Sequence, residues 1–171
     1  MRVLFERAQI EKRIEEIATQ ILNRHKSEKT PIVLICVLNG GFMFYSKLVE
    51  KLSSIDPKCD FIKVKSYEGQ ERGKLEVKLQ ESIDIENHHV YIIDDIYDSG
   101  NTMNFIINRL KAFGPKSLTP ITLFAKENAP ENLIYGFKLE NETWIYGYGL
   151  DGDKGLWRNV PLVLGKYYEV E

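Results

Sequence analysis

The stretch Val90-Tyr91-Ile92-Ile93-Asp94-Asp95-Ile96-Tyr97-Asp98-Ser99-Gly100-Asn101-Thr102 runs from an unbroken apolar segment into acids, and from acids into hydroxyls around a glycine. The apolar run suits a strand buried on both faces of a parallel sheet, and residues 102–113 carry the apolar spacing of a helix. The turn between them then lies at a strand's carboxyl end, where open α/β sheets bind ligands. A helix amino terminus offers unpaired N–H groups and the positive end of the macrodipole to a phosphate. Gly100 lets the backbone come close to such an anion, and Ser99 and Thr102 add hydroxyl donors. Asp94 and Asp95 have the wrong sign to touch a phosphate. Their natural partners are the vicinal hydroxyls of a ribose, or a Mg²⁺ ion held by those hydroxyls and the phosphate. The blander reading makes Asp98 and Ser99 helix caps and leaves Asp94 and Asp95 in a solvated turn. Acids that close a buried strand are costly without partners, which weighs against it.

The rest of the chain supplies a matching scaffold. Ile10, Ile14, Ile17, Ala18, Ile21 and Leu22 fall on one face of a first helix that ends at residues 26–29. Pro31 opens a second buried strand over 32–38, which passes through Asn39-Gly40-Gly41 into a helix over 42–52. Between Cys59 and Leu79 apolar and charged residues alternate, predicting two strands joined by the polar, glycine-containing segment 66–73, a mobile hairpin loop suited to act as a lid. Gly114 and Pro115 stop the helix that follows the acidic turn, and 117–125 is another strand leading to Lys126. Short strands are expected around Phe137 and over 144–146, with the carboxyl tail contributing to a small appended subdomain. Strands alternating with helices make this an α/β chain with a largely parallel sheet flanked by helices.

With 171 residues, 43% of them apolar, the chain is expected to form a single domain over 1–171 with a substantial core. A formal charge of -2 and scattered Lys and Arg give no reason to expect nucleic acid. No apolar run suits a signal peptide or a membrane span, so a cytoplasmic protein without membrane contact is expected. Cys36 and Cys59 lack a CxxC or histidine spacing and read as reduced thiols. His88-His89 reads as a surface pair without further ligands nearby. Gly147-Tyr148-Gly149-Leu150-Asp151-Gly152 satisfies G-x-G-x-x-G, but Pro161 and the lack of a following helical pattern exclude a dinucleotide unit.

The string 90–102 resembles the 5-phosphoribosyl 1-pyrophosphate signature of the type I phosphoribosyltransferases, and Asp98 within it is typical of the 6-oxopurine (hypoxanthine-guanine) branch. That resemblance, traced from about Ile32 to Pro161, implies the type I phosphoribosyltransferase fold with a small hood subdomain. It implies Asp94, Asp95, Ser99, Gly100, Asn101 and Thr102 as the phosphoribosyl-binding residues. Asp98 corresponds to the general base or proton acceptor at N7 of the purine. Asn39 and Gly40 match the pyrophosphate-binding turn, where the family often has a cis peptide that is not to proline, and Arg158 matches an arginine that contacts pyrophosphate. Lys126 matches the lysine on the purine's exocyclic oxygen. Trp144 and Ile145 match the pair that stacks on the base and offers backbone groups to its edge, and Ser66 and Tyr67 match the closing loop.

Mg²⁺ is the implied cofactor, at Asp94 and Asp95 and, for a second ion, Asp151. The implied reaction is transfer of phosphoribose to N9 of hypoxanthine or guanine in purine salvage, by a homodimer or homotetramer acting on small molecules. Two departures stand out: Asn101 and Asn39 occupy positions where lysine is common among relatives. The segment from Asp151 to Arg158 is also one residue longer than usual. A xanthine-preferring enzyme, or a nucleotide or phosphoribosyl pyrophosphate sensor on the same fold, are the alternative readings.

Overall fold

The computed structural model describes residues 2–66, 75–78 and 84–167. Its elements run β1 (Arg2–Phe5), α1 (Arg7–His25), β2 (Ile32–Leu38), α2 (Phe42–Lys51), β3 (Lys58–Ser66), β4 (Leu75–Lys78), β5 (His89–Tyr97), α3 (Asn101–Leu110), β6 (Ser117–Ala125), β7 (Ile134–Lys138), β8 (Thr143–Tyr146) and β9 (Val163–Tyr167). The main sheet has the order β4-β3-β2-β5-β6-β7. Its five strands from β3 to β7 are parallel, and β4 returns antiparallel along β3.

The apolar runs of β2 and β5 are continuous because both faces of the sheet are covered. Alternate residues serve different cores. Ile32, Leu34, Cys36, Tyr91 and Ile93 pack with Ile10, Ile14, Ile17 and Ile21 of α1 and with Phe44 and Leu48 of α2. Val33, Ile35, Val37, Val90 and Ile92 pack instead with Met103, Ile106 and Leu110 of α3. Each such side chain fully withdrawn from water stabilises the fold by roughly 1.5–3 kcal/mol. Near the end of β5 the alternation slips: Ile93 and Ile96, three apart, both join the α1–α2 side.

A second, three-stranded antiparallel sheet in the order β1-β9-β8 forms the small subdomain. The carboxyl tail contributes β9, as expected, but β1 had no signal in the sequence. The strand around Phe137 extends the main sheet, not the subdomain. Phe5, at the end of β1, fastens the two sheets by packing on Phe137 and Phe124 at ring-centroid distances of 4.4 and 5.2 Å.

Several sequence expectations change. The first helix begins at Arg7, with Glu6 and Gln9 forming a capping box, and the helix after the acidic turn starts at Asn101 and closes with a 3-10 turn at Lys111–Phe113. His88 and His89 are not a surface pair. His88 is buried, with Nδ1 2.6 Å from the Glu86 carbonyl and Nε2 3.1 Å from Lys58 Nζ. His89 lies beside His25 and Glu28. Both cysteines are free, and burial pushes the Cys36 thiol up to about 12, so it is no nucleophile at neutral pH. Ser66 closes β3, while Tyr67 and the rest of the expected lid, through Gly73, lie outside the described residues. Among the described residues no helix is long and apolar enough to cross a membrane.

Candidate active site

The carboxyl ends of β2 and β5 bring two turns against each other. In the β2–α2 turn the Leu38–Asn39 peptide is cis, as the family resemblance implied. A Cβ on Gly40 would lie 1.9 Å from Asp95 Oδ2, and one on Gly41 would lie 3.0 Å from the Ile93 carbonyl oxygen. Only glycines allow that turn to lie directly on the acidic end of β5. The neighbouring Gly100 has φ +81 and a Tyr97 hydroxyl beneath it, where a Cβ would come within 2.2 Å. Gly100 is therefore the N-cap of α3, and the bland reading of Asp98 as that cap does not hold. Ser99 does take part locally, its Oγ accepting from the Asn101 N–H at 3.4 Å.

The β5–α3 turn lines a cavity of about 240 Å³ bounded by Asp94 through Gly100, Thr102 and Met103. Five of the six residues expected to bind phosphoribose thus face one cavity, and Asn101 is not among its walls. Asp94 is buried and Asp95 half-buried. The Asp95 N–H donates to Asp94 Oδ1 at 2.9 Å, and the Ile96 N–H donates to Asp95 Oδ1 at 2.8 Å. Burial, and then the charge of Asp95, push the Asp94 carboxyl well above the usual range. Burial also raises Asp95, opposed by its hydrogen bonds with Asp94 and Ile96 and by the positive field of Arg158.

Arg158 belongs to a second layer of the site. Its Nη1 donates to the Gly149 carbonyl at 2.6 Å and its Nη2 meets Asp151 Oδ2 at 2.9 Å. The extra length between Asp151 and Arg158 is taken up in a 3-10 turn at Asp153–Gly155, where Lys154 and Gly155 have positive φ. The Asp151–Arg158 pair is therefore formed despite the longer spacing. Asp94, Asp95 and Asp151 do not converge into one ligand cluster among the described residues.

Asp98, in the cavity wall, pairs with Lys126, whose Nζ lies 3.7 Å from Asp98 Oδ1. The Asp98 side chain is 72% exposed and the Lys126 side chain only 13%. Lys126 is held from both ends: its N–H donates to the Tyr97 carbonyl at 2.9 Å, and its ammonium donates to the carbonyls of Asn141 and, at 3.2 Å, Thr143. Those carbonyls frame the start of β8, which carries Trp144, exposed, and Ile145, buried. Trp144 thus offers an open indole face, while Ile145 anchors the strand.

Tyr97, Gly149 and Trp157 were missed in the sequence. Tyr97 sat inside the signature and supports Gly100. Gly149 sat in the discounted glycine motif and holds Arg158. Trp157 is exposed, with φ +74 and its ring 6.0 Å from that of buried Tyr146. No local pattern in the sequence pointed to it.

A parallel sheet whose strand-end turns pair a cis-peptide glycine loop with an acid–hydroxyl loop defines a phosphoribosyltransferase, and the model of the phosphoribosyl transferase domain family matches residues 4–152. Among curated proteins the chain is 35% identical over 170 residues to the hypoxanthine-guanine-xanthine phosphoribosyltransferase of Tritrichomonas foetus, covering 95% of this chain and 89% of the relative. It is 34% identical over 156 residues to the hypoxanthine phosphoribosyltransferase of Escherichia coli strain K12, covering 87% and 86%. Among solved structures, the hypoxanthine phosphoribosyltransferase of Trypanosoma cruzi in complex with the product IMP superposes with a TM-score of 0.83 at 32% identity, covering 95% of this chain and 91% of that one. The chain belongs to the hypoxanthine-guanine phosphoribosyltransferases of the type I family.

Proposed function

We propose that this chain transfers 5-phosphoribose from phosphoribosyl pyrophosphate to N9 of hypoxanthine or guanine, giving IMP or GMP and pyrophosphate. The observation that carries the base assignment is the Asp98–Lys126 pair at 3.7 Å. N7 and the 6-oxygen lie side by side on one edge of a 6-oxopurine. A carboxylate that accepts from N7–H next to an ammonium that donates to the oxygen matches that edge. Adenine presents a donor in place of the oxygen and would leave the lysine without an acceptor. Trp144 supplies the stacking face.

The remaining roles follow from position. The turn from Ser99 to Thr102 and the first N–H groups of α3 bind the 5′-phosphate, and Gly40 with Arg158 receives the pyrophosphate. Asp94 and Asp95 fix the ribose hydroxyls and stabilise positive charge as the glycosidic bond loosens. Holding both substrates in line supplies most of the rate enhancement.

Mg²⁺ fits the donor set. Two adjacent acids withdrawn from water, both pushed upward, are best kept ionised by a hard divalent cation. When bound, the ion would neutralise charge on the leaving pyrophosphate. Asp151 would serve a second ion, in competition with its contact to Arg158.

The test compares wild type with Asp98→Asn, using hypoxanthine, phosphoribosyl pyrophosphate and Mg²⁺. Wild type should form IMP. The variant should lose about 10²–10⁴ in turnover, the ordinary worth of a positioned acid–base group, with phosphoribosyl pyrophosphate affinity within about twofold by calorimetry. Equal loss of binding and turnover would make Asp98 a structural residue and remove the basis of the base assignment.

A further inference from the structure

At the opposite end of β5 from the acids, His25, Glu28 and His89 converge, with one candidate ligand atom from each lying within 4.8 Å of the others. We propose that these three residues form a binding site for a divalent transition-metal ion of the zinc class, separate from the phosphoribosyl site.

The three residues come from different parts of the fold. His25 is the last residue of α1, Glu28 lies in the following loop, and His89 opens β5. His89 lies five positions before Asp94 on β5, a span of about 16 Å at ~3.3 Å per residue. The His25 side chain is 6% exposed, yet its Nδ1 has no hydrogen-bond partner. A buried imidazole nitrogen left without a hydrogen bond is uncommon, because buried polar atoms are nearly always satisfied. The His25 Nδ1 lies 4.0 Å from Glu28 Oε2, and the His89 Nε2 meets Glu28 Oε1 at 3.0 Å.

The far nitrogens are occupied. His25 Nε2 is 2.7 Å from the buried Tyr91 hydroxyl, and His89 Nδ1 is 2.7 Å from Ser117 Oγ. That is the outer shell a metal-bound imidazole requires, since its other N–H donates to an oxygen that fixes tautomer and ring orientation. Positive charge nearby works against a cation, but Lys116 and Thr30 both donate to Glu28 Oε1. The second oxygen, Oε2, is the one that faces His25. Two imidazoles and a carboxylate with a fourth position open to water are a common zinc donor set. Closing the three atoms to roughly 3.3 Å apart, as tetrahedral bonds of about 2.0–2.1 Å require, needs a rotation of the partly exposed Glu28 side chain. The ion would pin the end of α1 to the start of β5 and so brace the strand that carries Asp94 and Asp95.

The test uses full-length protein stripped with chelator, in an Asp94→Asn, Asp95→Asn background that removes the other acidic site. Co²⁺ should bind at one equivalent with the visible absorption of a nitrogen-ligated, low-coordinate ion, and Zn²⁺ should displace it and raise Tm. Glu28→Gln, on a partly exposed side chain, and His89→Gln should each weaken Zn²⁺ binding about tenfold or more and abolish the Tm rise. Glu28→Gln keeps the test valid should His89→Gln fail to fold. No Co²⁺ spectrum, or Zn²⁺ binding unchanged in folded Glu28→Gln, would overturn the proposal.

Discussion

Gly40 and Asp95 approach so closely that no side chain fits between them. Gly40→Ala must push the carboxylate aside or move the turn, a mismatch of the kind that costs about 1–3 kcal/mol. The expected result is a KM for phosphoribosyl pyrophosphate raised about tenfold or more, with KM for the base changed less, together with a lower urea midpoint. Unchanged kinetics would show that the turn does not hold the pyrophosphate against Asp95. Asp94 supports a second test at this scale. Its folded pKa is raised above the unfolded value of 3.8, first by burial and then by Asp95. The folded state therefore holds the proton more tightly, and the stability this contributes is lost as pH rises through the raised folded value. Metal-free Asp94→Asn should melt at a higher temperature than metal-free wild type at pH 7.5, and the gap should close towards pH 4. A gap that widens on acidification would mean that Asp94 is held ionised by a partner within the protein.

At the scale of elements, β1 shows how four residues can govern a distant site. It pairs with β9, β9 pairs with β8, and the start of β8 supplies the Thr143 carbonyl to Lys126 as well as the exposed Trp144. Phe5 adds the aromatic contacts to Phe124 of β6 and Phe137 of β7. Phe5→Ala should cost roughly 3–5 kcal/mol if its packing resembles a full core position, and somewhat less here because the ring is partly buried. The kinetic signature should be a raised KM for the purine with little change for phosphoribosyl pyrophosphate. Steady-state kinetics with each substrate varied in turn checks it, and an equal rise in both would show that the small sheet does not act selectively on the base side.

Across the whole molecule, what could be read in the sequence was what one segment determines alone. β2 and β5 are apolar on both faces, so burial and strand type were visible together, and the acid–hydroxyl turn follows β5 without a gap. Lys126 and Asp98 were found individually, but their 3.7 Å approach depends on β6 lying beside β5. β1 was silent because its partner, β9, lies more than 150 residues away and its own residues are only partly buried. His88 and His89 were misread for a related reason. His89 is half-buried by His25 of α1 and Ser117 of β6, which two other elements bring to it.

The central claim is that this assembly joins phosphoribose to a 6-oxopurine. The most direct measurement incubates the protein with phosphoribosyl pyrophosphate and Mg²⁺ and, separately, hypoxanthine, guanine, xanthine, adenine and uracil, resolving nucleotides by chromatography. IMP or GMP should form, with xanthine slower and no product from adenine or uracil. Nucleotide from adenine or uracil in preference to the 6-oxopurines, or none from any base while phosphoribosyl pyrophosphate still binds, would contradict it.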